Sequence, residues 1–111
     1  MSISDRDRTL CARMLEEIRF ISKTTLVMSH DDFMRDEIVQ HAVCMSLITI
    51  GEYANHLSDR FIENHPEIEW IQIIAVRNIA AHGYWQLNME QIWQAIADDL
   101  PTLQKFLISQ L

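Results

Sequence analysis

The chain has 111 residues, a length typical of one domain, and 49% of them are hydrophobic, which is enough for a core. Its formal net charge of −7 argues against a protein that captures nucleic acid through its overall field, since that requires a basic surface. Only 2 glycines and 2 prolines are present, and sheet-rich folds need many turns. We therefore expect a single all-α domain over residues 1–111, built as a helical bundle.

The first predicted helix opens at Ser4, which with Asp7 forms a variant of the capping box. Charged residues cover one side of this helix, and apolar residues recur at helical spacing on the other, namely Leu10, Met14, Ile18 and Ile21. The helix should end in the high twenties. The polar run Ser29–Asp32 marks a loop or the start of the next helix.

The second predicted helix begins around Asp32 or Asp36 and ends near Leu57. Its apolar positions are too numerous for one narrow stripe, so this helix must be buried on more than one side. In a domain this small, that pattern indicates a central helix that also contributes to a subunit interface. Glu52 is one of the few charged residues near its end.

Three further segments complete the predicted helices. A short helix over Ser58–Asn64 should stop before Pro66, because proline disfavours helical geometry at the preceding residue. The next helix should begin at Pro66, with acidic residues in its first turn, and end at Gly83. Asn88 can cap the last helix, and Pro101 should kink or interrupt it.

The expected location is the cytoplasm. Cys11 and Cys44 fall among apolar residues on predicted helices, as reduced core thiols of cytosolic proteins do. The charged N-terminus has no signal-peptide pattern, and the longest uncharged stretch, Ile38–Gly51, is too short for a membrane span. We expect no membrane partner.

Arg77 and Asn78 interrupt an otherwise apolar helical run. A guanidinium is costly there unless it is paired or faces a cleft, and one interpretation is a structural salt bridge to an acid such as Glu52. Read alone, His82 is also more often structural than catalytic. However, Asn78 and His82 are four residues apart on one helix face, where the amide can orient the imidazole.

Arg77 and His82 together suit phosphate chemistry. His82 precedes Gly83 at the predicted helix end, where the dipole favours a protonated imidazole suited to general acid–base catalysis. Arg77 suits a phosphate that gains charge in the transition state. The two side chains are about 140° apart around a regular helix and would not meet there. At the helix end the geometry can relax, and the His82 side chain can then turn toward Arg77. A twofold dimer would supply two of each residue for metal-independent RNA transesterification.

These residues resemble a known family. The pattern from Arg77 through His82 to Tyr84 is similar to the R-X4-H-X-Y signature of HEPN-domain ribonucleases, and the whole chain resembles the HepT-type toxins of prokaryotic toxin–antitoxin pairs. Three other segments resemble the family's I-G-E-A-A-N, P-E-I-P-W and D-L-P elements, namely Ile50–Asn55, His65–Trp70 and Asp98–Pro101.

The resemblance implies a homodimeric antiparallel bundle of four to five helices, with Arg77 and His82 as catalytic residues in a cleft between protomers. Asn78 and Glu52 are the expected supporting residues. It implies RNA cleavage without a metal or cofactor. The acidic charge fits a narrow substrate such as tRNA or ribosome-associated mRNA, and we expect no DNA binding.

The resemblance also implies a protein partner, a minimal nucleotidyltransferase acting as antitoxin, that transfers AMP to Tyr84. Adenylylation would add bulk and negative charge two residues from His82 and so repel a phosphate.

Two other functions fit the same residues. One is a non-catalytic HEPN module whose pocket holds a nucleotide or a partner's chain, and the other is a purely structural helical dimer. No metal site is predicted, because His30, His41, His56 and His65 show no familiar zinc spacing. Glu52 and His56 are four residues apart and can form a hydrogen bond on one helix face.

Overall fold

The computed structural model describes residues 2–83 and 86–111. Within these ranges the regular elements are all helical, which confirms the predicted fold class. In chain order they are α1 (Asp5–Thr25), α2 (His30–Arg35), α3 (Glu37–Asn55), α4 (Asp59–Asn64), α5 (Trp70–His82), α6 (Met89–Gln94), a π-helical segment (Ala95–Asp99) and α7 (Leu100–Ser109).

Side-chain caps determine where several helices begin. The Ser4 hydroxyl accepts a hydrogen bond from the Asp7 backbone N–H, as the sequence predicts. Ser29 and Asp32 form a full capping box, so of the two predicted alternatives, a loop or a helix start, this run is the start of the short helix α2. Asp36 then caps α3, which therefore begins at the later of its two predicted positions.

Helix α3 lies at the centre of the fold and packs against both α1 and α5, while α7 packs against α1. The predicted apolar face of α1 is buried, with Met14, Ile18 and Ile21 fully inaccessible. Both cysteines are free and buried in this core, and burial raises the pKa of the Cys11 and Cys44 thiols to about 11.

Helix α5 begins at Trp70, so the predicted start at Pro66 is wrong by one turn. The Trp70 indole N–H donates to the His65 carbonyl at 2.9 Å, and the buried ring fixes the chain before the helix in a turn. Glu69 has φ −83° and ψ 67°, which is not helical, and it provides no side-chain cap.

The last predicted helix is interrupted, as expected from Pro101. Proline occupies the first turn of α7, where its missing N–H removes no helical hydrogen bond. The π-helical segment immediately precedes it and joins α6 to α7. Asn88 caps α6 by accepting from the Gln91 N–H at 3.2 Å, as predicted. Among the described helices, none has the length and hydropathy needed to cross a bilayer.

Candidate active site on helix α5

Glu52 and Arg77 lie where α3 packs against α5, and the two helices approach closely at Gly51. A Cβ atom at this position would lie 2.8 Å from the Ile73 carbonyl oxygen and 3.0 Å from the Arg77 Cβ. Glycine inside a helix costs about 1 kcal/mol relative to alanine, and here it permits backbone packing that any side chain would prevent. Gly51 therefore sets the separation between the next residue, Glu52, and Arg77. Its sequence signal was a glycine inside an apolar helix.

Glu52 holds the Arg77 guanidinium. Arg77 Nε donates to Glu52 Oε2 at 2.6 Å, with the arginine side chain 37% exposed. The hydrogen bond from Arg77 is the main reason that the pKa of Glu52 lies below its usual value, and a second hydrogen bond from His56 lowers it further. Glu52 is thus a carboxylate at neutral pH and fixes one edge of the guanidinium at the surface of the helix pair.

The contact extends into a row of four side chains. His56 Nε2 lies 3.1 Å from Glu52 Oε1, at the spacing expected for residues four apart in a helix. At the other end, Arg77 Nη1 donates to Asn78 Oδ1 at 3.0 Å. The amide oxygen of Asn78 therefore binds the arginine, and no hydrogen bond between Asn78 and His82 is recorded in the described part of the chain. A charged donor makes the stronger hydrogen bond and so determines the amide's partner.

His82 is an exposed residue in the last turn of α5. The helix ends at Gly83, as predicted, where φ is 142° and the N–H donates to the Ala80 carbonyl at 3.1 Å. The helix is continuous to His82, so the expected relaxation before this residue does not occur. Arg77 and His82 therefore keep the divergence of about 140° expected for a regular helix. In the described part of the chain, His82 has no recorded hydrogen bond or ion pair.

Two further expectations concern Tyr84 and metal binding. Tyr84 lies outside the described residues. Among residues 2–83 and 86–111, no three His, Cys, Asp or Glu side chains converge as metal ligands would. Three histidines instead pair with carboxylates, His30 with Asp31 and Glu90, His56 with Glu52, and His65 with Glu67.

Over most of its length the chain is similar to sequences that are named as putative or probable ribonucleases. "Putative RNase TTE0752" of Caldanaerobacter subterraneus subsp. tengcongensis is 31% identical over 98 residues, which cover 88% of each chain. "Probable ribonuclease HepT" of Thermococcus cleftensis is 30% identical over 89 residues, which cover 80% of this chain and 81% of that one. No solved structure matches the chain at comparable significance. A family profile described as "Ribonuclease HepT-like" matches residues 14–109, and the chain therefore belongs to that family, as its motifs predict.

Proposed function

We propose that this protein is a metal-independent endoribonuclease toxin in which Arg77 stabilises the transition state and His82 is the general acid–base. The observation that carries the proposal is the way Arg77 is held. Its Nε and Nη1 donors bind Glu52 and Asn78, while Nη2 has no recorded partner in the described part of the chain. A guanidinium whose orientation is fixed at Nε and Nη1, with its Nη2 donors still unused, is preorganised to donate to a phosphate.

The proposed reaction is attack of a ribose 2′-hydroxyl on the adjacent phosphorus. The new P–O2′ bond forms as the P–O5′ bond breaks, leaving a 2′,3′-cyclic phosphate and a 5′-hydroxyl. One group removes the proton from the 2′-hydroxyl, and another gives a proton to the departing O5′. Arg77 stabilises the charge on the nonbridging oxygens, and the imidazole of His82 transfers protons.

The proposed active unit is a homodimer. Because Arg77 and His82 diverge on one regular helix, a second chain is the simplest source of the missing partner for each. Exposed apolar side chains on the two helices of the site support this, since such surfaces usually mark interfaces. They are Ile38 and Met45 of α3 and Ile71 of α5, with exposed fractions of 83%, 63% and 86%. Isologous pairing would bring two copies of the site together.

The proposed regulation is AMPylation of Tyr84 by a minimal nucleotidyltransferase antitoxin. The proposal rests on the family resemblance and on the position of Tyr84 two residues after His82 in the sequence. A phosphodiester at this position would place negative charge close to the bound RNA phosphate. The test is the intact mass of the protein co-expressed with its antitoxin. An adenylyl increment is expected on the parent and not on Tyr84→Phe, and an unmodified parent would refute this part.

Catalysis is tested with purified protein and a tRNA or mRNA substrate in the presence of EDTA. We expect cleavage to persist, with cyclic-phosphate ends. Arg77→Ala should lower the rate by about 10²–10³-fold and His82→Ala by about 10²–10⁴-fold. Arg13→Ala, which removes an exposed arginine on α1, is the matched control. A folded protein that leaves every RNA intact would instead support a non-catalytic binding module.

Mixing the two inactive variants tests whether the site is shared between chains. In a dimer of one Arg77→Ala chain and one His82→Ala chain, a shared site would recover one intact pair of catalytic residues. We expect such mixtures to regain a substantial fraction of the parent activity after subunit exchange. If each chain contains its own complete site, every mixed dimer stays inactive.

A further inference from the structure

Helix α5 borders a groove whose described lining includes neither Arg77 nor His82. It packs extensively on α3, but it makes no comparable contact with α6 or α7. A groove of about 810 Å³ separates α5 from the α6–α7 segment, which is within the range of about 300–1,000 Å³ usual for binding sites.

The floor of the groove is apolar and its shape is long. Side chains from four helices, α3, α5, α6 and α7, line it, including Leu47, Ile50, Ile73, Val76, Ile92 and Leu103. On the α6–α7 side the lining extends from Asn88 to Leu103. At a rise of about 1.5 Å per residue, this is a length of about 20 Å, which a helix of roughly fourteen residues would span.

Among the described residues that line the groove, all of the titratable groups are acidic. They are Glu67, Glu69, Asp98 and Asp99, and within residues 2–83 and 86–111 no lysine, arginine or histidine contributes to the lining. Glu67 Oε1 lies 3.3 Å from His65 Nδ1, whereas the other three carboxylates have no recorded ion pair in the described part of the chain. Asp98 and Asp99 belong to the π-helical segment, a kind of irregularity frequent at functional sites.

This combination of an apolar floor and an acidic rim selects a particular class of occupant. RNA would be repelled by the four carboxylates. A second copy of this chain is also disfavoured, because it has net charge −7 and five of its nine lysines and arginines lie on α1, whose apolar face is already buried. We propose that the groove binds an amphipathic helix of a partner protein, with apolar side chains on the floor and lysines or arginines at the rim.

The inference does not depend on RNA cleavage, so binding alone tests it. The probe is a fourteen-residue helical peptide of leucine and lysine with leucines on one face, and a peptide with glutamates for lysines is the comparison. Amide chemical shifts of the ¹⁵N-labelled protein report the location of binding. The test variant is Glu69→Gln/Asp98→Asn/Asp99→Asn, and Glu16→Gln/Glu17→Gln/Glu63→Gln is the control with the same net charge.

We expect the lysine peptide to shift groove amides such as those of Ile73, Val76 and Leu103. The groove variant should weaken binding at least about fivefold, and the control variant less than about twofold. Equal weakening by both variants would overturn the proposal, because it would show attraction to net charge alone. Shifts confined to other surfaces, or equal binding of the glutamate peptide, would also overturn it.

Two further results would assign the groove to another occupant and so refute the proposal. One is a shift of the same groove amides by single-stranded RNA. The other is concentration-dependent protection of those amides in the free protein, which would place a second copy in the groove.

Discussion

Replacing Gly51 by alanine tests whether the close approach of α3 and α5 organises the candidate site. The added methyl would lie 2.8 Å from the Ile73 carbonyl oxygen, and ordinary contact begins at 3.4 Å. Relief therefore requires a shift of about 0.6 Å, the difference between these two distances. The other side of the contact is backbone, so no side-chain rotation can supply that shift.

The expected effect on stability is the difference of two terms. Overpacking of this kind costs about 1–3 kcal/mol, and alanine recovers about 1 kcal/mol of helix propensity lost by glycine. The free energy of unfolding should therefore fall by about 0–2 kcal/mol. Because Gly51 precedes Glu52, the same shift would lengthen the hydrogen bond to Arg77 and lower ribonuclease activity by about tenfold, since misplacement of about 1 Å can cost 10²-fold.

Urea unfolding at fixed protein concentration measures the change in the free energy of unfolding, and the cleavage assay measures the change in ribonuclease activity. Ala42→Gly is the matched control, because it changes helix propensity in α3 without adding atoms to the contact. It should lower the free energy of unfolding by about 1 kcal/mol and leave the activity of the folded protein intact. A Gly51→Ala protein that is more stable than the parent and fully active would refute this account of the helix contact.

Three further predictions follow from the pKa shifts. The pKa of Glu52 is lowered chiefly by Arg77, so the stability that Glu52 contributes is present above its unfolded pKa and is lost as the pH falls through the folded value. Glu52→Gln should thus unfold more easily than the parent at about pH 6, with the gap closing at about pH 3; a gap that is constant across the titration would contradict this assignment. The pKa of His30 is raised, first by its hydrogen bond to Glu90, so its contribution is present below the unfolded pKa and lost as the pH rises through the folded value. The midpoint of thermal unfolding of His30→Gln should therefore lie further below that of the parent at about pH 5.5 than at about pH 8.5. Glu90→Gln should show the same pH dependence. Finally, burial raises the pKa of both cysteine thiols to about 11, so a thiol reagent at about pH 8 should label them only after denaturant is added, and rapid labelling of the native protein would show that the core opens.

Helices with a strong apolar period could be predicted closely from the sequence. Helix α1 begins where Ser4 and Asp7 place it, because its cap and its apolar face are both local features. The start of α5 could not be predicted in this way. Proline and acidic residues favour a first turn at Pro66, but the tertiary contact between Trp70 and the His65 carbonyl holds those residues in a turn.

In the candidate site, too, some contacts could be predicted from the sequence and others could not. Glu52 and Arg77 could be named as partners because each is a charge in an apolar helix, and their hydrogen bond is present. The partner of Asn78 could not be predicted, since helical spacing allows His82 as well as contact with the neighbouring Arg77. The groove beside α5 also has no sequence signal, because it depends on how far α5 stands from α7.

The limited burial of α5 affects how the candidate site responds to thermal fluctuation. Of its thirteen residues only Trp70 is buried, whereas α1 buries seven of twenty-one. Segments with few buried contacts open by local unfolding at free energies below that of global unfolding. The amides around Arg77 should accordingly exchange with deuterium well before those of α1. Ligands that cover α5 can then order the candidate site residues while the rest of the bundle stays folded.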